Sequence, residues 1–211
     1  MTKDRLILVG GGDFGRELIN WVNHAAATGC GRSFCGFLDK NSAALDKYSY
    51  RLTWLGTIED FTPQADDLFV IGVADPAIKR KIVGKLKSNG ARFASIIHPS
   101  AVVSENAVLG EGVVICPQAV ISCDTYVGDF VAINCLSSIG HDARVGDFST
   151  LSAHVDLTGF VQVGESTFFG TGAKVLPKVK IGNRVRIGAG ATIMRSVPDD
   201  SVMYAMPAKR L

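Results

Sequence analysis

The sequence of 211 residues is poor in aromatic side chains, 8% of the total. It has no apolar run near the ~18 residues that a membrane-spanning helix needs. The longest early run, Leu6–Val9, is too short for the apolar part of a secretion signal, and Asp4 interrupts the stretch where such a signal is cationic. Cysteine is scarce. The five residues Cys30, Cys35, Cys116, Cys123 and Cys135 are odd in number and lack metal-ligand spacing. This excludes a disulfide framework and a zinc module and implies a reduced, cytoplasmic protein with no structural metal. Net charge is only +2, which argues against a general nucleic-acid binder. What remains is 47% hydrophobic and 20% charged, enough to build a core, in a length that suits one or two domains.

Charge is unevenly spread. Residues 1–169 hold 14 Lys/Arg against 18 Asp/Glu, a net of −4, and residues 170–211 hold 8 against 2, a net of +6. A basic block of this kind is either the seat of an anionic partner or a solvated face that keeps the protein soluble.

The second half repeats every six residues. From Ile97 to Pro198 the sequence falls into 17 hexads with no slip expected. Each first position is aliphatic except for Phe169, each fifth position is small or Val, and the second position is Gly in eight hexads, among them Gly110, Gly128, Gly140 and Gly188. A period of six fits neither a helix nor a freely alternating strand. It fits short strands joined by tight corners, with aliphatic residues inside, small residues beside them, and glycines supplying the corner dihedrals.

The first half reads as a small α/β unit. The apolar strand Arg5–Val9 runs into Gly10-Gly11-Gly12-Asp13-Phe14-Gly15, followed by helical spacing over Arg16–Ala27. The pattern Gly10-x-Gly12-x-x-Gly15 matches a loop whose amides and following helix hold a phosphate. It equally matches a tight strand–helix turn without ligand, a reading favoured by the carboxylate of Asp13. A second strand, Phe34–Leu38, ends at Asp39, where such units contact a ribose. A third, Leu68–Val73, leads through Asp75-Pro76 into a helix Ala77–Ser88 closed by Asn89-Gly90. Fewer than 100 residues make at most half a dinucleotide fold, so a mononucleotide-sized ligand is expected at Gly10, Gly12, Asp13 and Asp39.

A glycine-loop α/β unit followed directly by a hexapeptide solenoid resembles the bacterial sugar acetyltransferases of the hexapeptide-repeat family. That family includes N-acetyltransferases of nucleotide-linked 4-amino sugars and sialic-acid O-acetyltransferases. The resemblance spans essentially the whole chain. It rests on Gly10–Leu18, on Ile97-His98-Pro99-Ser100-Ala101, on Gly140–Phe148 and on Pro207-Ala208-Lys209. It implies a Rossmann-like domain over residues 1–95 and a left-handed parallel β-helix over 96–211, with three hexads per coil of 18 residues. At about 4.8 Å per coil the prism is roughly 25–30 Å long. It also implies acetyl-CoA as co-substrate, a nucleotide-linked amino sugar as acceptor, a role in polysaccharide biosynthesis, and homotrimers with active sites between subunits. This chain has Asp13 and Phe14 where the family's loop usually has Gly then His, and Thr150 where the family often has a second histidine.

Of the four histidines, His24 reads as a helix residue and His98 as a turn stabiliser at the junction. Matching the family's His–acid pair makes His141 the general base and Asp142 its orienting partner, with Asp147 one hexad further on. Eighteen residues beyond His141 lies Gly159, whose N–H is placed to polarise a thioester carbonyl. Ala153, Thr171 and Ala189 form a column of small residues suited to a pantetheine arm. Lys174, Lys178, Arg184, Arg186, Lys209 and Arg210 are candidates for the CoA phosphates, with Lys209 foremost through the family's closing motif. The leading expectation is acetyl transfer to a 4-amino group. The others are O-acetylation of a sugar hydroxyl, a non-catalytic trimeric scaffold, and a carbonic-anhydrase-like hydrolyase. The last needs three histidine ligands, and His141 and His154 are the only two of the four within this expected solenoid that could serve, His98 being read as a turn residue. If Lys209 binds a CoA phosphate, Lys209→Ala raises the acetyl-CoA KM about 10-fold and leaves kcat unchanged, a loss in the range of one charge-assisted contact. An unaltered KM would make the basic block a solvated face.

Overall fold

The computed structural model describes residues 4–29 and 31–206, so Cys30 and the closing motif with Lys209 lie outside the described residues. The chain forms two compact units, Met1–Pro99 and Ser100–Leu211. No helix among the described residues is long and apolar enough to cross a membrane.

The first unit is a parallel five-stranded sheet with two helices. Its elements are β1 (Arg5–Val9), α1 (Asp13–Ala27), β2 (Gly36–Leu38), β3 (Thr53–Gly56), β4 (Asp67–Ile71), α2 (Pro76–Ser88) and β5 (Arg92–Phe93), with strand order β3-β2-β1-β4-β5. Strand order therefore reverses between β1 and β4, the kind of switch point where open α/β sheets leave a crevice. α1 starts three residues earlier than its apolar spacing predicts, because Gly12 serves as its N-cap and Gly10, at φ +99°, turns the chain sharply enough to begin it there. β4 ends at Ile71, two residues earlier than predicted. A side chain at the next residue, Gly72, would stand 2.9 Å from the Gly15 backbone, so helix and sheet touch there. α2 is capped as its sequence predicts. Asp75 accepts hydrogen bonds from the N–H groups of Ala77 and Ile78, both at 3.0 Å, and Pro76 opens the helix. Lys79 lies in the same buried stripe as Val83 and Leu86, and that burial lowers its pKa to about 7. β3 and β5 carry too little apolar pattern to be read from sequence.

The second unit is a parallel β-solenoid with three sheets. A first sheet steps from Val102–Val103 to Thr192–Ile193 and a second from Val108–Leu109 to Lys180–Ile181. A third steps from Val114–Ile115 to Arg186–Ile187 and then Val202–Met203. Partners are 18 residues apart, as in Ile121 with Ile139 and Val145 with Val163. First-position residues such as Ile133, Leu151 and Phe169 and fifth-position residues such as Val131, Val155 and Ala173 form one buried core. Hydroxyls at fifth positions are buried without loss. Ser137, Ser149 and Thr167 donate to the carbonyls of Ser152, Gly164 and Gly182 at 2.8, 3.1 and 2.9 Å.

Two expectations about the repeat need correction. The second-position glycines are needed for space rather than for dihedrals. A Cβ on Gly146 would lie 2.6 Å from the Glu165 nitrogen, and one on Gly140 2.8 Å from the Gly159 nitrogen. The left-handed corner conformation falls instead on the fourth position and is mostly taken by other residues, including Gln118, Asp142, Phe160 and Lys178. The hexads also slip once. Val175 pairs with Ile193 at a spacing of 18, whereas Ile181 meets Val197 and Arg186 meets Val202 at 16. The shorter last coil brings two acids onto polar partners. Asp199 accepts the Asn183 N–H at 2.9 Å, and Asp200 takes the Arg184 guanidinium through both oxygens at 2.7 and 2.8 Å.

The steric reading separates two substitutions. Gly146→Ala should cost about 1–3 kcal/mol in chemical denaturation, because its neighbour is backbone and cannot yield. Gln118→Gly, at φ 59° on an exposed corner, should be neutral or stabilising by up to ~1 kcal/mol. The reverse order would restore the dihedral account of the second-position glycines.

Candidate active site

His141 follows the first-sheet strand Ser138–Ile139 and stands on the corner leading to the second sheet. The ladder pairs Ile139 with Leu157, which puts Gly159 one coil beyond His141. A Cβ on residue 159 would lie 2.6 Å from His141 Nε2, so the imidazole lies across the bare Gly159 backbone. His141 Nδ1 and Asp142 Oδ2 are 2.9 Å apart. Asp142 holds the left-handed corner at φ 59°, a conformation Asp tolerates, and its N–H donates to the Cys123 carbonyl at 3.1 Å. With Nδ1–H donated to the carboxylate, Nε2 is the ring's free acceptor. The side chains of His141 and Asp142 are 54% and 42% exposed, so this dyad is open to an incoming molecule.

Phe160 was not singled out by sequence. Its ring meets the imidazole edge-on, with centroids 5.2 Å apart at 88°, and its N–H donates to the His141 carbonyl at 3.0 Å. The 18-residue coil places it diagonally beside His141, a relation available in the sequence once the period is known.

The three corners of the solenoid differ chemically. On the corner after the second sheet, third-position side chains cap the amides of the preceding coil. Asp129 accepts from the Glu111 N–H, Asp147 from Asp129, and Asn183 from Glu165, each at 2.9 Å. Asp147 is thus structural. On the histidine corner, the residue one coil beyond Gly159 is Pro177, which has no side-chain oxygen for the Gly159 N–H. Ala153, Thr171 and Ala189 do form a column, but on the corner after the third sheet. Within one chain this column therefore does not adjoin His141, since one sheet face separates the two corners. Thr150 is buried in a third-sheet strand, away from the histidine corner. His154 stands on the small-residue corner, and no group of three metal-ligating side chains assembles among the described residues.

In the basic block, Arg184 is committed to Asp200 and lies 3.7 Å from Asp199, which removes it from the phosphate candidates. That pairing holds the Asp200 carboxyl below its usual pKa, while hydrogen bonds from Asn183 chiefly do so for Asp199. Arg186 lies over the Phe168 ring at 5.0 Å, and Lys174 and Lys178 are exposed.

In the α/β unit the glycine loop is largely engaged by its own chain. The Gly10 N–H donates to the Leu38 carbonyl at 2.8 Å and the Gly11 N–H to Asp39 Oδ2 at 2.7 Å. Asp13 sits in the first turn of α1 and is bonded to Arg16. Gly12 has open space around it. Gly10 and Asp39 do come together, lining one cleft of about 560 Å³ with residues of α2. His24 and His98 pair with each other, Nδ1 to Nε2 at 2.9 Å with rings stacked, and burial lowers the His98 pKa, with His24 adding to the effect.

Comparison with known proteins fits this geometry. The family model for the bacterial transferase hexapeptide (six repeats) matches residues 160–195. The UDP-N-acetylbacillosamine N-acetyltransferase of Bacillus subtilis is 42% identical over 50 residues, 24% of this chain, and the match spans only 23% of that relative's length. Among solved structures, the acetyltransferase domain of PglB from Neisseria gonorrhoeae superposes with a TM-score of 0.85 at 28% identity, covering 99% of this chain and 100% of that one. PerB from Caulobacter crescentus, solved with CoA and GDP-perosamine, gives 0.84 at 30% identity, covering 97% and 96%.

Gly159→Ala tests the packing of the site. The new methyl group should push the imidazole off the corner and break its bond to Asp142, at a stability cost within about 1 kcal/mol, since a side-chain tip can yield. Nitrogen shifts of the His141 ring in NMR report this. An unchanged ring would contradict the contact with Gly159.

Proposed function

The chain belongs to the bacterial hexapeptide-repeat sugar acetyltransferases, and from that premise we propose that it transfers the acetyl group of acetyl-CoA to the 4-amino group of a nucleotide-linked deoxyamino sugar. The observation that carries this reading is the His141 imidazole, held by Asp142 and laid across Gly159. The acceptor nitrogen attacks the thioester carbonyl while His141 Nε2 takes its proton. The Gly159 N–H stabilises the developing oxyanion. Collapse then forms the amide, breaks the C–S bond, and returns the proton from His141 to the CoA thiolate. No acyl-enzyme is required, so acetyl-CoA and acceptor are bound together.

The pantetheine arm needs a groove, and the small residues Ala153, Thr171 and Ala189 stand on a different corner from His141. A second copy of the chain can set that corner against the first chain's dyad. This supports a homotrimer with each site between adjacent solenoids. The α/β unit takes the nucleotide, with Gly10 and Asp39 lining its cleft and Gly12 and Asp13 next along the chain. Cys35, Cys116, Cys123 and Cys135 form no disulfide among the described residues. O-acetylation of a sugar hydroxyl is the second reading. The donation of the Gly10 and Gly11 N–H groups to the Leu38 carbonyl and the Asp39 carboxylate favours it, because a nucleotide finds fewer free amides there.

His141→Asn or His141→Ala should lower kcat about 10²–10⁴-fold in a thiol-release assay, with the circular dichroism unchanged. Asp142→Asn should cost less, because it orients the ring without touching the acceptor. Rates near wild type would remove His141 from the role of base. A panel of nucleotide-linked amino sugars and sugar hydroxyls separates the two acceptors. Light scattering should give a trimer at micromolar concentration, and a fully active monomer would contradict the shared site.

A further inference from the structure

The glycine loop looks like a phosphate cradle in sequence but is poorly placed to be one. Two of its amides are donated within the chain, and the carboxylate of Asp13 occupies the first turn of the helix that an anion would approach. A nucleotide-linked acceptor still brings a diphosphate, and that charge needs cations. The cleft beside the loop supplies them. It lies at the carboxyl ends of β1 and β2, has about 560 Å³, and is thus of a size to take a nucleotide.

One wall of that cleft is a second stripe of α2. Ile78, Lys81, Ile82 and Lys85 fall at i, i+3, i+4 and i+7 and so share one helical face, distinct from the buried stripe of Lys79, Val83 and Leu86. Packing does not explain this face, since Ile78 is 52% exposed. Lys81 and Lys85 have no ion-pair partner among the described residues, whereas Lys40 on the facing wall is 3.9 Å from Glu59. Two unpaired like charges on successive turns repel, and an anion bridging them relieves that repulsion.

We propose that Lys81 and Lys85 of α2 bind the diphosphate of the nucleotide-linked acceptor, and that the glycine loop lends the cleft only the edge at Gly10, without cradling the phosphates. Ile78, Ile82 and Ile58 give the apolar slot a flat base needs, and Asp39 and Glu59 offer acceptors for ribose hydroxyls. The assignment rests on the acceptor being nucleotide-linked.

Calorimetric titration of the 211-residue chain with UDP and with GDP tests it. At least one should bind the wild-type chain, with an affinity that falls as salt rises. The double variant Lys81→Ala/Lys85→Ala should weaken that binding by about 30-fold or more and flatten its salt dependence. Lys81→Arg/Lys85→Arg should retain most of it, which distinguishes lost charge from lost folding. Asp13→Asn should shift the affinity less than about 3-fold. Binding by the double alanine variant within 2-fold of wild type, or a large gain in affinity from Asp13→Asn, would return the phosphates to the glycine loop and overturn the assignment. If neither nucleotide binds the wild-type chain at millimolar concentration, the nucleotide-linked acceptor itself is excluded, a failure distinct from the first.

Discussion

The constraint on which the solenoid depends is that each coil must lie directly on the next at backbone contact distance. Parallel pairing at 18 residues fixes that spacing along all three sheets. Wherever a second-position residue carried a Cβ pointing at the next coil's corner, the coils would be forced apart, as at Gly140, Gly146 and Gly170. The same closeness makes the site. His141 lies across Gly159 because the coil spacing leaves room for an imidazole only over a residue without a side chain. Structure and site therefore use one geometric fact twice.

Corner chemistry then divides the labour. One corner is filled by Asp129, Asp147 and Asn183, whose oxygens satisfy amides of the preceding coil. The histidine corner has no such oxygen after Gly159, because Pro177 follows. The Gly159 N–H, which no side chain of the next coil caps, stands next to an imidazole whose Nδ1 is held by Asp142, and the proposed chemistry uses the two together. The small-residue column occupies the remaining corner. A cleft between two solenoids can combine what a single solenoid keeps apart.

Much of this was legible in sequence, because a strict period converts residue number into position. The core positions, the pairing of His141 with Gly159 and the caps of α2 all follow from counting and local chemistry. What escaped depends on facts that counting does not carry. Whether a glycine serves dihedral or space is decided by its neighbour 18 or 19 residues on, as Gly146 shows against Glu165. The last coil is two residues short because Arg184 and Asn183 find Asp200 and Asp199 at that register, a pairing invisible in the apolar pattern. The column Ala153, Thr171 and Ala189 has the right period but the wrong phase relative to His141. Phase rather than period assigns a corner. In the α/β unit the glycine spacing was legible as a turn, but that Asp39 reaches back to the Gly11 N–H was not.

The central claim is that His141 Nε2, held by Asp142 and resting on Gly159, is the base that receives the acceptor's proton. A crystal structure with CoA and a nucleotide-linked amino sugar tests it most directly. The account predicts the 4-amino nitrogen at hydrogen-bond distance from His141 Nε2, about 2.7–3.2 Å, with the CoA sulfur beside Gly159. An acceptor nitrogen more than about 6 Å from Nε2, with another titratable group at hydrogen-bond distance, would contradict it.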